Sequence, residues 1–166
     1  NINPPLWGGK GGAMKFSTQE EYGLRLLLRI AKFYGVGKSL TIPEISRAEA
    51  MSEHNVGKIL RALRLGGFLE SSRGQIGGYT LTRPPEQIYI SDVLYTLGGR
   101  LFDDAFCKTH SGLPDICTNS IDCSIRSLWK IIQDSIDSVV SKLTLKDLMS
   151  DENKIFDLID SIKVEN

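Results

Sequence analysis

Apolar residues Leu24, Leu27, Leu28 and Ala31 recur at helical spacing near the start of the chain. Ser17 stands ahead of them with Glu20 three residues on, a capping box, so a helix is predicted from Ser17 through Tyr34, ended by Gly35 and Gly37. Thr41 opens a second, shorter helix over Pro43 to Ala50, with proline and glutamate in its first turn. Ser52 caps a third, Glu53 to Leu65, whose Val56, Ile59, Leu60 and Leu63 share one face. Gly66 and Gly67 close it. The pattern then becomes strand-like: Phe68 to Ser72 and Tyr79 to Thr82 flank a glycine-rich tip, Arg73 to Gly78, and read as a hairpin. Beyond Arg83-Pro84-Pro85, Ser91 is the predicted cap of a short helix from Asp92 to Leu97.

The stretch Cys107 to Cys123 has no periodicity and is interrupted by Gly112 and Pro114, so it reads as a loop. A long helix follows, starting at Ile121 or Ser124 and running to Leu143. Its Ile125, Leu128, Trp129, Ile132, Ile136, Val139, Val140 and Leu143 form a broad apolar stripe. Thr144 to Met149 reads as a short capped helix and Lys154 to Lys163 as an amphipathic turn or tail. No internal repeat is present. Only Met51 and Ser52 separate the second and third helices, the tight joint of a helix-turn-helix. A helix-turn-helix followed at once by a hairpin is a winged helix. The fold class is therefore mostly α with a small β-wing, a winged helix-turn-helix head plus a long C-terminal helix that a second copy would cover.

Composition narrows the function. With 166 residues, 41% of them hydrophobic and 24% charged, the chain suits one domain or a small domain with an extension. No apolar run approaches the roughly 18 residues of a membrane span. Residues 1–13 lack the apolar core of a signal peptide and read as a leader ahead of a natural start at Met14, so the cytoplasm is the expected location. Zero net charge conceals a polarity. Met14 to Arg83 holds 11 Lys/Arg against 6 Asp/Glu, Pro84 to Asn166 holds 8 against 14, and Lys10 supplies the balance. A basic first half suits a polyanion such as DNA, because clustered cations release its counterions. No Ser/His/Asp set, phosphate loop or HExxH motif is present, which points away from an enzyme.

Within the head, the third helix is the expected recognition helix. Ser52, His54 and Asn55 lie where base edges are read, while Lys58, Arg61 and Arg64 suit phosphates or brace the helix. Arg73, beside Gly74 at the wing tip, suits a narrow A·T-rich minor groove; the alternative is a salt bridge to Glu70. Cys107, Cys117 and Cys123, spaced Cys-x9-Cys-x5-Cys, are all the cysteines of the chain. Three cannot all form disulfides, and soft thiolates in a loop suit an iron–sulfur cluster or zinc; spacing alone leaves both open.

Several segments together resemble a known family. They are Met14-Lys-Phe-Ser-Thr, Tyr22-Gly-Leu-Arg, the wing Arg73-Gly-Gln-Ile-Gly-Gly-Tyr-Thr-Leu-Thr-Arg-Pro-Pro, Ile90-Ser-Asp-Val-Leu, the cysteine loop and Thr144-Leu-Lys-Asp-Leu. The chain is similar over Met14 to about Met149 to the winged-helix repressor family of IscR, NsrR, RirA and CymR. The resemblance implies a homodimeric transcription regulator on a double-stranded DNA operator of two half-sites, many members sensing through an iron–sulfur cluster. It favours iron over zinc and leaves 2Fe-2S and 4Fe-4S open. The first cysteine gap is longer than in those relatives, and Arg126 stands where one of them has a ligand histidine. The resemblance then implies Glu21 of the partner subunit as fourth ligand, with His110 as the alternative. Implied boundaries are 14–98 for the DNA-binding domain, 99–123 for the cysteine loop and 124–166 for dimerisation helix and tail. Two other readings stay open: a cluster-free, CymR-like regulator working through a partner protein or thiol oxidation, and a zinc-stabilised interaction module with no DNA role.

Overall fold

Ser17 accepts the Glu20 N–H and the Glu20 carboxylate accepts the Ser17 N–H, the reciprocal cap of α1 (Thr18–Ala31). The computed structural model describes residues 17–74, 77–100, 102, 107 and 122–164. Helix α1 stops at Ala31, short of the predicted Tyr34. The amides of Phe33 and Tyr34 bond three residues back, to Ile30 and Ala31 at 3.0 Å each, and this tightened turn runs into Gly35 and Gly37, both at positive φ.

Thr41 and Glu44 form a second capping box at the start of α2 (Ile42–Glu49). The Thr41 N–H and hydroxyl both donate to the Glu44 carboxylate at 2.8 Å. These bonds hold the Glu44 carboxyl below its ordinary range, with Lys38 and Arg47 adding to the effect. Helix α3 (Glu53–Leu65) is capped by Ser52, whose hydroxyl accepts the Asn55 N–H at 3.3 Å.

The wing pairs β1 (Leu69–Ser72) with β2 (Gly78–Leu81), antiparallel, in the register Leu69 opposite Leu81 and Ser72 opposite Gly78. Leu40 extends this ladder: it exchanges backbone bonds with Tyr79 at 2.8 and 3.1 Å. At Gly78, φ is +153° and a Cβ would fall 2.8 Å from the Leu40 backbone, so only glycine fits the crossing. Leu26, Leu27, Ile45, Val56, Leu60, Leu63, Leu69 and Val93 are fully buried and fuse the helices and wing into one core.

A 3-10 turn, Pro85–Gln87, leads to α4 (Ile90–Gly98). The predicted Ser91 cap does not form; Tyr89 is the cap residue and makes no side-chain bond. The helix start is satisfied by a distant segment instead. Ile90 N–H donates to the Leu143 carbonyl at 2.9 Å, Tyr89 bridges Thr144, and Leu145 N–H donates to Ile88 at 2.8 Å.

Helix α5 (Ser124–Val140) takes the later of the two expected starts and ends before Leu143. Leu143 is released to pack with Ile90 and Ile162 in a small second cluster. Helix α6 (Leu145–Leu148), capped by Thr144, returns to the head and seats Leu145 in the main core. The expected amphipathic turn at the C-terminus is a helix, α7 (Glu152–Val164). Among the described residues no helix is long and apolar enough to cross a membrane.

Candidate nucleic-acid interface and cysteine segment

On α3, Val56, Ile59, Leu60 and Leu63 face the core, and His54, Lys58 and Arg61 point to the opposite, exposed side. Ser52 and Asn55 are exposed at its N-terminal end, where the Ser52 hydroxyl accepts the Asn55 backbone N–H. Arg64 differs from its neighbours. Its Nη1 lies 3.4 Å from the Ser71 hydroxyl and braces α3 against the wing.

Arg73 and Gly74 are exposed at the hairpin tip; Gln75 and Ile76, between them and Gly77, lie outside the described residues. The Arg73–Glu70 salt bridge does not form: Glu70 accepts the Thr80 hydroxyl at 3.3 Å, and Arg73 makes no ion pair among the described residues. The wing is also fixed at its base. Arg83 donates to the Gly67 carbonyl at 3.0 Å and the Gln87 carbonyl at 3.1 Å, with its guanidinium 5.1 Å from the centre of the Phe68 ring. Sequence reading passed over Arg83 except as part of the Arg-Pro-Pro run; its place at the end of a strand, beside two prolines, was the available signal.

Cysteines 107 and 123 are free and half-buried, whereas Cys117 and His110 lie outside the described residues. Cys123 is the N-cap of α5, and its Sγ accepts the Arg126 N–H at 3.3 Å. An amide donor on sulfur stabilises the negative charge a metal-bound thiolate carries, so this donor suits a cluster ligand. The stem before the loop is tied to the same helix. Phe102 N–H donates to Gln133 Oε1 at 3.1 Å, Gln133 Nε2 donates to Asp137 at 2.8 Å, and Arg100 pairs with Asp137. Gln133, 5% exposed, is the buried polar residue of α5. Sequence reading missed it because it is a polar residue set among the apolar positions of the stripe.

Glu21 is exposed on the first turn of α1. Among the described residues no three His, Cys, Asp or Glu side chains converge, so Glu21 does not join Cys107 and Cys123 of its own chain. A cleft of about 920 Å³ separates the α1 start, with Gln19 and Glu20, from α5 at Gln133 and Ile136; Leu94 and Leu97 of α4 line it too.

The family model for Rrf2, described as an iron-dependent transcriptional regulator, matches residues 16–151. The HTH-type transcriptional regulator CymR of Bacillus subtilis is 31% identical over 137 residues, covering 82% of this chain and 91% of CymR. Its structure, described as that of the global cysteine regulator, superposes with a TM-score of 0.64 at 29% identity, over 84% of this chain and 100% of that one. The oxidised form of Staphylococcus aureus CymR gives 0.64 at 28%, over 83% and 98%. IscR of T. potens gives 0.61 at 27% identity, over 82% of this chain and 87% of that one.

Proposed function

Because this chain belongs to the Rrf2 family of DNA-binding transcriptional regulators, we propose that it is a homodimeric repressor whose grip on a two-half-site operator is set by an iron–sulfur cluster. In this reading 14–98 is the DNA-binding unit, 99–123 the cluster loop and 124–166 the dimerisation helix and tail. Helix α3 enters the major groove with Ser52, His54 and Asn55 at base edges and Lys58 and Arg61 at phosphates. Arg73 and Gly74 follow the minor groove.

The cluster would be held by Cys107, Cys117 and Cys123. Glu21 is exposed and forms no cluster with Cys107 and Cys123 of its own chain among the described residues, which favours Glu21 of the partner subunit as fourth ligand over an intrachain one; His110 is the alternative. A non-thiolate ligand would exchange more readily than thiolate, and so would leave one iron position open to nitric oxide, oxygen or ligand exchange. The protein's own part is mechanical. The two stems of the loop, at Phe102 and Cys123, are bonded to one helix, α5, and that attachment carries the proposal. Whatever tightens or frees the loop acts on α5, and thereby on the spacing of two recognition helices.

The test is an anaerobic preparation analysed for visible absorbance, iron and sulfide, with wild type beside Glu21→Ala and each Cys→Ala variant, and operator affinity measured with and without cluster. A coloured wild type that binds its operator equally well in both states removes the sensing role. Colourless, metal-free wild type favours the second reading, a cluster-free regulator acting through thiol oxidation or a partner protein. The similarity to CymR, including the oxidised Staphylococcus aureus form, supports that alternative.

A further inference from the structure

Arg25 and Arg29, one turn apart on α1, converge on a single carboxylate of α2. Arg25 donates through Nε and Nη2 to Glu49 Oε2 at 3.2 and 3.1 Å, and Arg29 Nε donates to Oε1 at 2.6 Å. Arg25 Nη2 also reaches the Glu49 carbonyl at 3.1 Å, one of the C-terminal carbonyls of α2 that the helix itself leaves unpaired. The Glu49 side chain is 10% exposed, against 41% and 31% for the two arginines. The next residue, Ala50, is the one non-glycine at positive φ among the described residues, at 53°. Met51 follows, its carbonyl accepting the Ser46 hydroxyl, and then Ser52, the cap of α3.

We propose that Glu49 is a positioning residue for sequence reading: its clamp on Arg25 and Arg29 fixes the turn that aims the first turn of α3. The inference rests on α3 being the reading helix. The apolar core around Ile45, Val56 and Leu60 joins α2 to α3, but apolar contact is non-directional. Guanidinium–carboxylate bonds are directional, and here they act three residues before Ser52. Base-edge hydrogen bonds from Ser52, His54 and Asn55 tolerate little displacement, since they weaken steeply off axis. The flexible Lys58 and Arg61 follow phosphates through the same displacement. Loosening the clamp therefore lowers discrimination while general DNA affinity stays.

The experiment uses the full chain and the duplex that the wild type selects from a random pool, with a scrambled duplex as competitor. Glu49→Gln leaves one guanidinium without its carboxylate acceptor, while the Arg25 bond to the Glu49 backbone carbonyl is kept. Its preference for selected over scrambled DNA is expected to fall by about tenfold, with scrambled-duplex affinity and its salt dependence unchanged. Arg25→Lys/Arg29→Lys, which keeps both charges but loses the planar forks, is expected to do the same, and stands in if Glu49→Gln folds poorly. Thermal melts are run on every variant. A folded variant that melts lower yet keeps full preference makes the clamp purely structural and overturns the proposal. The double variant His54→Ala/Asn55→Ala, which removes the base-reading side chains other than the cap Ser52, is the control for the underlying reading. If it leaves preference intact, α3 is not the reader and the clamp falls with it; if it abolishes preference while the clamp variants keep theirs, the clamp alone is refuted.

Discussion

Arg73 is exposed at the tip of the hairpin and makes no ion pair among the described residues, so its charge faces a polyanion that follows the wing. Arg73→Ala is expected to weaken operator binding by about 1–3 kcal/mol in a gel-shift titration. Unchanged affinity would take the wing out of the mechanism. Glu44 makes a different prediction, about pH. Its carboxyl is held low in the folded chain by the Thr41 backbone and hydroxyl donors, so on acidification the unfolded chain takes up this proton first. The cap therefore contributes fully above the ordinary glutamate range and is lost as pH falls through the lowered value. Thermal midpoints followed on the acid side should drop more steeply for wild type than for Glu44→Gln. Equal slopes would show that the carboxylate is not stabilising α2. Both residues were legible in sequence, Arg73 from glycines around it and Glu44 from its spacing after Thr41, because caps and tips are local. Glu49 was not, since its partners are 20 and 24 residues away on another helix.

The same division governs whole elements. Helices α1 to α3 and the wing follow local signals, and their predicted and observed positions agree to within a residue or two except at the end of α1. The start of α4 and the end of α5 are set by each other, through the Ile90–Leu143 and Tyr89–Thr144 backbone pairing, which no periodicity encodes. Of the cysteine loop, sequence supplied the sulfurs but not the stem; the Phe102–Gln133 bond joins residues 31 apart. Two glycines test how the elements are packed. A Cβ on Gly23 of α1 would overlap Leu97 Cδ1 of α4, so Gly23→Ala is expected to destabilise the fold by about 1–3 kcal/mol. Gly57, inside α3, has only Ile42 Cδ1 near its missing Cβ, at 3.6 Å, an ordinary contact. Gly57→Ala should thus raise stability by about 0.5–1 kcal/mol in denaturant titrations. Opposite signs at the two sites would establish that the Leu97 side chain of α4 packs onto bare α1 backbone at Gly23 while α3 has room at Gly57.

At the scale of the molecule, α5 is the element whose sequence and surroundings disagree most. Within one chain Ile125 and Leu128 of its apolar stripe remain 58% and 51% exposed, Ile131 beside them is 63% exposed, and the buried residue of the helix is a glutamine. Contiguous apolar surface of this kind is a mark of an interface, and a second α5 laid against the first would cover it. Ile131→Asp separates folding from assembly, because a side chain already in water costs a lone chain little when it becomes charged. The variant is expected to keep its helical signal and sediment as a monomer where the wild type sediments as a dimer. If the operator has the two half-sites proposed above, its affinity should then fall by about 10²–10⁴-fold, because the two heads no longer share one tether. A dimeric Ile131→Asp protein with full affinity would move the seam to another face, and with it the route by which the cysteine stems, both bonded to α5, could change the distance between two reading heads.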